Sequence, residues 1–158
     1  MNEGQAPKFN IEHSTLNIQH STLEINMSDE RFGKAYKLCS RKTIDAVFKA
    51  GKSVRLYPFV VHFSEQTLPE GQPFQLVFSA PKRIFRRAHD RNRMKRLMRE
   101  TFRKKKLILE DFLGKEHKQL ALFVIYTAKE ELPLQKMLAK TDQLMIRITQ
   151  ELQHETTR

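Results

Sequence analysis

The chain has 158 residues, 29 of them Lys or Arg and 18 Asp or Glu, for a formal net charge of +11. That length fits one domain, no run nears the roughly 18–20 apolar residues of a membrane span, and no secretory signal is expected at the polar N-terminus. The single cysteine, Cys39, allows neither an internal disulfide nor a CxxC metal knuckle, so a membrane protein, a secreted disulfide scaffold and a large multidomain enzyme are not expected, and a reducing, cytoplasmic setting is.

Residues 1–28 differ from the rest. A seven-residue near-repeat, HSTLNIQ and then HSTLEIN, starts at His13 and again at His20, with few charges and no sustained amphipathic period. This segment is expected to be a disordered or non-native extension rather than a short β-arm, and Met27 is an alternative start to Met1. A single domain is expected over residues 31–153, with a short tail at 154–158. Within it, Ser40 suits the N-cap of a helix through Ala50, with Ile44, Val47 and Phe48 on one face and Gly51 as the stop. Residues 53–64 (SVRLYPFVVHFS) are rich in β-branched and aromatic side chains, and Pro58 divides them into two strands. The turn at 67–73 leads to a third strand, FQLVFSA at 74–80, which Pro81 ends. After a basic loop, Asp90 is the expected N-cap of a second helix, which should stop near Gly114. LALFVIYT at 120–127 reads as a buried strand. The last helix, from about Pro133 to Leu152, carries Leu134, Met137, Leu138, Leu144, Met145, Ile148 and Leu152 at helical spacing, a core stripe. The order α-β-β-β-α-β-α predicts an α+β sandwich with one sheet and helices packed on it.

Charge is concentrated in one place. Residues 82–106 hold 13 bases and two acids, Asp90 and Glu100, whereas the rest of the chain holds 16 of each. A patch that carries the whole excess is the footprint of a polyanion-binding surface. At about 100° per residue, Met94, Leu97, Met98, Thr101 and Phe102 share one side of the second helix. Asn92, Lys95, Arg96, Arg99, Arg103 and Lys106 fall within about 100° on the other. A merely solvated helix alternates charges to gain i,i+4 pairs; here Lys95, Arg99, Arg103 and Lys106 should repel until a polyanion relieves them. Guanidinium forks at Arg91, Arg93, Arg96, Arg99 and Arg103 suit phosphate. Protein-based catalysis finds no support: Asp29, Asp45, Asp90, Asp111 and Asp142 are dispersed, where a two-metal nuclease needs clustered carboxylates.

The string RNRMKRLMRETFR at residues 91–103 resembles the RNR signature of the bacterial ribonuclease P protein subunit. AVFKAGKSV at 46–54, SAPKR before the helix, the apolar strand and the C-terminal helix extend the resemblance over about residues 31–152. It implies the same element order with a left-handed β-α-β crossover, against the general right-handed rule. It also implies a role: the protein joins a large catalytic RNA that removes the 5′ leader of precursor tRNA. The RNA binds the catalytic Mg²⁺ and performs the hydrolysis; the protein binds no cofactor of its own. Arg91, Asn92, Lys95, Arg96 and Arg99 would then face the RNA and the leader, with Arg93 at the flank, Arg103 further along the basic face, and Lys82 and Arg83 just before the motif. A leader cleft would involve Ile44, Phe48, His62 and Phe78. Ile44 and His62 depart from the aromatics often found there, and the loop IFRRAHD adds Arg86 and Arg87.

The partners so implied are the catalytic RNA and precursor tRNA. A structural RNA-binding protein of ribosomal type is the alternative. Duplex DNA is not expected, since no helix-turn-helix partner or dimer heptad accompanies the basic helix.

Overall fold

Alternating burial along the strands and wide apolar stripes on two helices set the architecture, seen in a computed structural model that describes residues 32–157. The expected N-terminal extension lies outside the described residues. Helix α1 (Arg41–Lys49) precedes the hairpin β1 (Lys52–Leu56) and β2 (Phe59–Glu65). Strand β3 (Phe74–Ser79), helix α2 (Ala88–Glu116), strand β4 (Leu120–Tyr126) and helix α3 (Leu134–Thr156) follow. This is the expected order, with one unexpected addition before it, a single 3-10 turn at Lys34–Tyr36. The sheet runs β1-β2-β4-β3. Strand β2 is antiparallel to both β1 and β4, while β3 lies parallel to β4 at the edge. Parallel neighbours need a long crossover, and α2 is that crossover.

The two faces of the sheet have different fates. Phe59, Val61 and Phe63 of β2, Phe74, Leu76 and Phe78 of β3, and Leu120, Leu122, Val124 and Tyr126 of β4 point to one side. There they meet Met94, Met98, Phe102, Leu109 and Leu113 of α2, and Met137, Leu144, Met145, Ile148 and Leu152 of α3. Phe102 is wedged between Phe78 (centroids 5.2 Å apart) and Phe59 (5.8 Å), both edge to face. On the other side the only α-helix of the described residues is α1, which buries Val47 with Ala121 and with Leu38 and Leu68 from the flanking segments.

Local chemistry sets the element ends, and several differ from expectation. Ser40 caps α1 as expected, its Oγ accepting from the Thr43 N–H at 3.3 Å. Gly51 follows because a Cβ there would lie 2.7 Å from the Phe48 carbonyl oxygen. Helix α2 starts earlier than predicted, with Arg87 at the N-cap and no side-chain cap. Asp90 sits instead in the first turn, where a carboxylate still favours the positive end of the helix dipole. The start is held from within: the Arg91 guanidinium donates to the carbonyls of Phe85 (3.0 Å) and Arg86 (2.7 Å). Gly114 does not end α2. His117 does, in the left-handed region at φ 52°, with its own N–H and that of Lys118 both reaching the Leu113 carbonyl. Helix α3 continues to Thr156, so part of the expected tail is helical. Leu134, predicted in the core stripe, lies exposed in the first turn of α3.

Phe102→Ala should lower the unfolding free energy by about 3–5 kcal/mol, because it opens a cavity between two rings that cannot close on it. Urea unfolding against the unmodified chain measures this.

Candidate nucleic-acid interface

The core contacts of Met94, Met98, Thr101 and Phe102 fix which side of α2 faces out. Asn92, Arg93, Arg96 and Arg99 are exposed on that side, and Lys95 is half-buried. Lys82, Arg83, Arg86 and Arg87 stand exposed in the loop that feeds the helix. Arg91 is spent on the loop carbonyls described above, so it shapes the surface more than it extends it.

The stripe is not uniformly unpaired, which corrects the repulsion argument. Arg103 grips Glu100 with two bonds, Nη2 to Oε1 at 2.7 Å and Nε to Oε2 at 3.0 Å. The hydrogen bond from Arg103 is the main reason that Glu100 titrates below the ordinary carboxylate value; burial opposes it. Arg93 meets Glu131 at 3.2 Å and Lys105 meets Asp142 at 3.1 Å. Lys106 leaves the stripe altogether. It is 2% exposed, with its Nζ 3.4 Å from Glu110 and 4.8 Å from the centre of the Tyr36 ring. The Lys34–Tyr36 turn folds over this part of α2, and Tyr36 donates to Glu110, so the ammonium is buried with its partners. Over residues 82–99, Arg93 pairs with an acid and Arg91 with carbonyls, whereas Lys82, Arg83, Arg86, Arg87, Lys95, Arg96 and Arg99 have no acidic partner among the described residues. Exposed pairs are worth about 0–1 kcal/mol, so a phosphate could still recruit Arg93 or Arg103.

A second surface lies across the sheet, on the side of α1. Register places side chains there in rows. Ser64, Ala121 and Gln75 form one buried row, with Ala121 packed on Val47 of α1 and Gln75 donating to the Ala35 carbonyl. The next row runs Ser53, His62, Phe123, Val77, and the one beyond it Arg55, Val60, Ile125, Ser79. Phe48 is 44% exposed at the rim, 5.0 Å from His62 and 4.8 Å from Phe123, centroid to centroid. Ile44 is half-buried against the small core under α1. Of the four residues predicted for a cleft, Phe48, His62 and Ile44 thus share this side. Phe78 does not: only 7% exposed, it points through the sheet onto Phe102. Phe59 is likewise core. An aromatic in a strand is assigned to a face only by parity, and Phe78 has the wrong parity.

Phe123 was missed. It sits in an aliphatic run that reads as wholly buried, yet Phe123 and Ile125 alternate with the buried Leu122, Val124 and Tyr126. The alternation was the available signal. Arg55, across the ladder from Val60, also went unnoticed as a cation on this face.

Burial first, and then the charge of Arg55, hold the His62 pKa below its ordinary value of 6.5. The unfolded chain therefore takes up this proton first as the pH falls. Stability is fully present above about 6.5 and declines as the pH drops towards the folded-state value. Urea midpoints measured from pH 7.5 to 5 should fall, and His62→Gln should fall less over the same range.

The family model for ribonuclease P matches residues 32–149. The ribonuclease P protein component of Porphyromonas gingivalis is 35% identical over 100 residues, covering 63% of this chain and 72% of that protein. That of Legionella pneumophila is 35% identical over 82 residues, covering 52% and 69%. Among solved structures, the RNase P protein from Thermotoga maritima aligns with a TM-score of 0.57 at 26% identity, over 70% of this chain and 96% of that one. The Staphylococcus aureus RNase P protein shares the fold, with a TM-score of 0.53 at 24% identity over 73% and 95%. A match spanning nearly all the described residues, with the RNR run on the outward side of its crossover helix, makes this chain a member of the ribonuclease P protein family.

Proposed function

We propose that the chain is the protein subunit of a ribonuclease P ribonucleoprotein, which removes the 5′ leader of precursor tRNA in the cytoplasm. The observation that carries this reading is the group Lys95, Arg96 and Arg99, without acidic partners among the described residues, together with Asn92, on a helix whose opposite side is locked into the core. A cationic face held rigid by the packing behind it is preorganised for phosphate, which lowers the conformational cost of binding. In this role α2 and the loop residues Lys82 and Arg83 dock on the catalytic RNA. A-form RNA hides its base edges in a deep, narrow groove, so docking of this kind reads backbone and shape.

The leader would lie single-stranded on the face of Phe48, His62 and Phe123, where bases can stack on the rings. His62, neutral at pH 7, can accept or donate a hydrogen bond there, and Arg55 offers a phosphate contact. Among the described residues no three His, Cys, Asp or Glu side chains converge to hold a metal ion. In this reading, as the family resemblance implies, the Mg²⁺ of the reaction and the hydrolysis belong to the RNA. Among the described residues no helix is long and apolar enough to cross a membrane.

The decisive experiment is cleavage of a leader-bearing precursor tRNA by bacterial ribonuclease P RNA at low Mg²⁺, with and without the protein. Cleavage only when both are present is expected. No stimulation, together with tight binding to another RNA, would favour a structural RNA-binding protein of ribosomal type.

Two further outcomes are expected. With about five phosphates neutralised, the slope of log affinity for the RNA against log salt should be roughly −3 to −5, and excess duplex DNA should compete poorly. Arg96→Ala and Arg99→Ala should each reduce the magnitude of that slope by about one and leave the melting temperature unchanged.

A further inference from the structure

A groove of about 440 Å³ runs along the outer edge of β3, between the Lys34–Tyr36 turn and α2. Phe32 and Tyr36 form one wall, and Lys95 and Arg99 the other. Lys34 and Lys37 complete a ring of four cations, and no carboxylate lines the groove. Among the described residues none of the four has an acidic partner. The aromatic wall is fixed from behind: Tyr36 donates to Glu110, lies beneath the Lys106 ammonium, and packs against Phe74 with the rings 5.3 Å apart. Phe32, packed on Tyr36 at 5.2 Å, keeps part of its surface open.

The floor is main chain. Backbone groups of alternate residues in a strand point to opposite edges. The Leu120 N–H donates to the Pro73 carbonyl at 3.0 Å, so Pro73, Gln75 and Val77 face β4, and Leu76 and Phe78 face outward. The Leu76 carbonyl is taken by the Leu38 N–H at 3.0 Å, where Lys37 and Leu76 form a parallel bridge. One step along, Phe78 lines the groove, and its outward N–H and C=O have no hydrogen-bond partner among the described residues. A peptide strand adding to this edge would need a continuing row of such groups, and the chain itself closes the row at Leu76. What is left, one donor beside one acceptor, is the footprint of a single base edge. Four cations around it call for phosphates.

We propose that this groove holds one unstacked nucleotide of the partner RNA, its base against Phe32 and the Phe78 main chain and its phosphates on Lys37, Lys95 and Arg99. The inference rests on the RNA-docking role above and extends that surface from α2 around the β3 edge. It adds a base-directed contact to a face that otherwise reads only backbone.

The test uses the full chain with bacterial ribonuclease P RNA, probing unpaired base edges with dimethyl sulfate and a carbodiimide. The unmodified protein should protect one unpaired nucleotide that Phe32→Ala leaves reactive, with affinity reduced roughly 5- to 150-fold, the worth of one stacked base. The salt slope should not change, and Phe32→Trp should restore the protection. Phe32 also packs on Tyr36 and Phe74, so the double variant Lys34→Ala, Lys37→Ala, at two exposed positions, provides a test that does not touch the core. It should lose the same protection and flatten the salt slope by about one to two. Wild-type protection and affinity in both variants, while Arg96→Ala still binds weakly, would overturn the groove and leave the docking role intact. Failure of the unmodified protein to bind the RNA would overturn both.

Discussion

Phe102 holds the basic helix to the sheet, and the rest of the molecule is arranged around that contact. With Met94 and Met98 it buries the apolar side of α2 against Phe59, Phe78 and their neighbours. Each such side chain contributes about 1.5–3 kcal/mol on leaving water, whereas repulsion between neighbouring exposed cations on a helix costs a few tenths. Burial wins by a wide margin. Arg96 and Arg99 are thereby kept facing outward without acids to steady them, which a helix stabilised by surface pairs could not do.

The same helix divides lengthwise into two electrostatic regimes. From Glu100 to Lys106 its cations are partnered: Arg103 and Lys104 with Glu100, Lys105 with Asp142 of α3, Lys106 with Glu110 and Tyr36. These contacts tie α2 to α3 and to the Lys34–Tyr36 turn. Before Glu100 the partners thin out, and Lys95, Arg96 and Arg99 have none among the described residues. One end of the basic run is architecture and the other is available for a ligand. In the proposed role the anchored end removes the conformational cost of presenting the other.

The sheet repeats this asymmetry. Two long helices seal one face, but α1, at nine residues, is too short to seal the other. With the segments of Ala35, Leu38 and Leu68 it covers the Ser64–Ala121–Gln75 row, and the next two stay partly open, with Phe48 at the rim. The edge groove beside β3 touches both territories, since Val77 of the open face and Lys95 and Arg99 of α2 line it together. Aromatic and cationic surfaces therefore meet along the edge strand, where a main-chain donor and acceptor of Phe78 have no partner among the described residues.

Most of this was written in local pattern. The Ser40 cap, the break at Pro58, the strand at 74–79 and the two-sided periodicity of α2 are properties of neighbouring residues, and neighbours are what a sequence displays. The RNR run carried the family for the same reason: a dense local string is legible without a fold. What needed the tertiary structure were facts about residues distant in sequence. Lys106 lies on the cationic side of the helix by angle, and only the turn containing Tyr36, some 70 residues earlier, turns it into a buried partner of Glu110. Phe78 and Phe123 are equally plausible cleft aromatics until strand parity sends the first to the helices and leaves the second on the open face. Arg91 and Arg99 look alike in the string, yet loop carbonyls claim the first, and the second has no partner among the described residues. Composition and periodicity determined that a cationic helix would dock on a sheet; long-range packing, which alone supplies or withholds each charge's partner, decided which of its residues remain to bind anything.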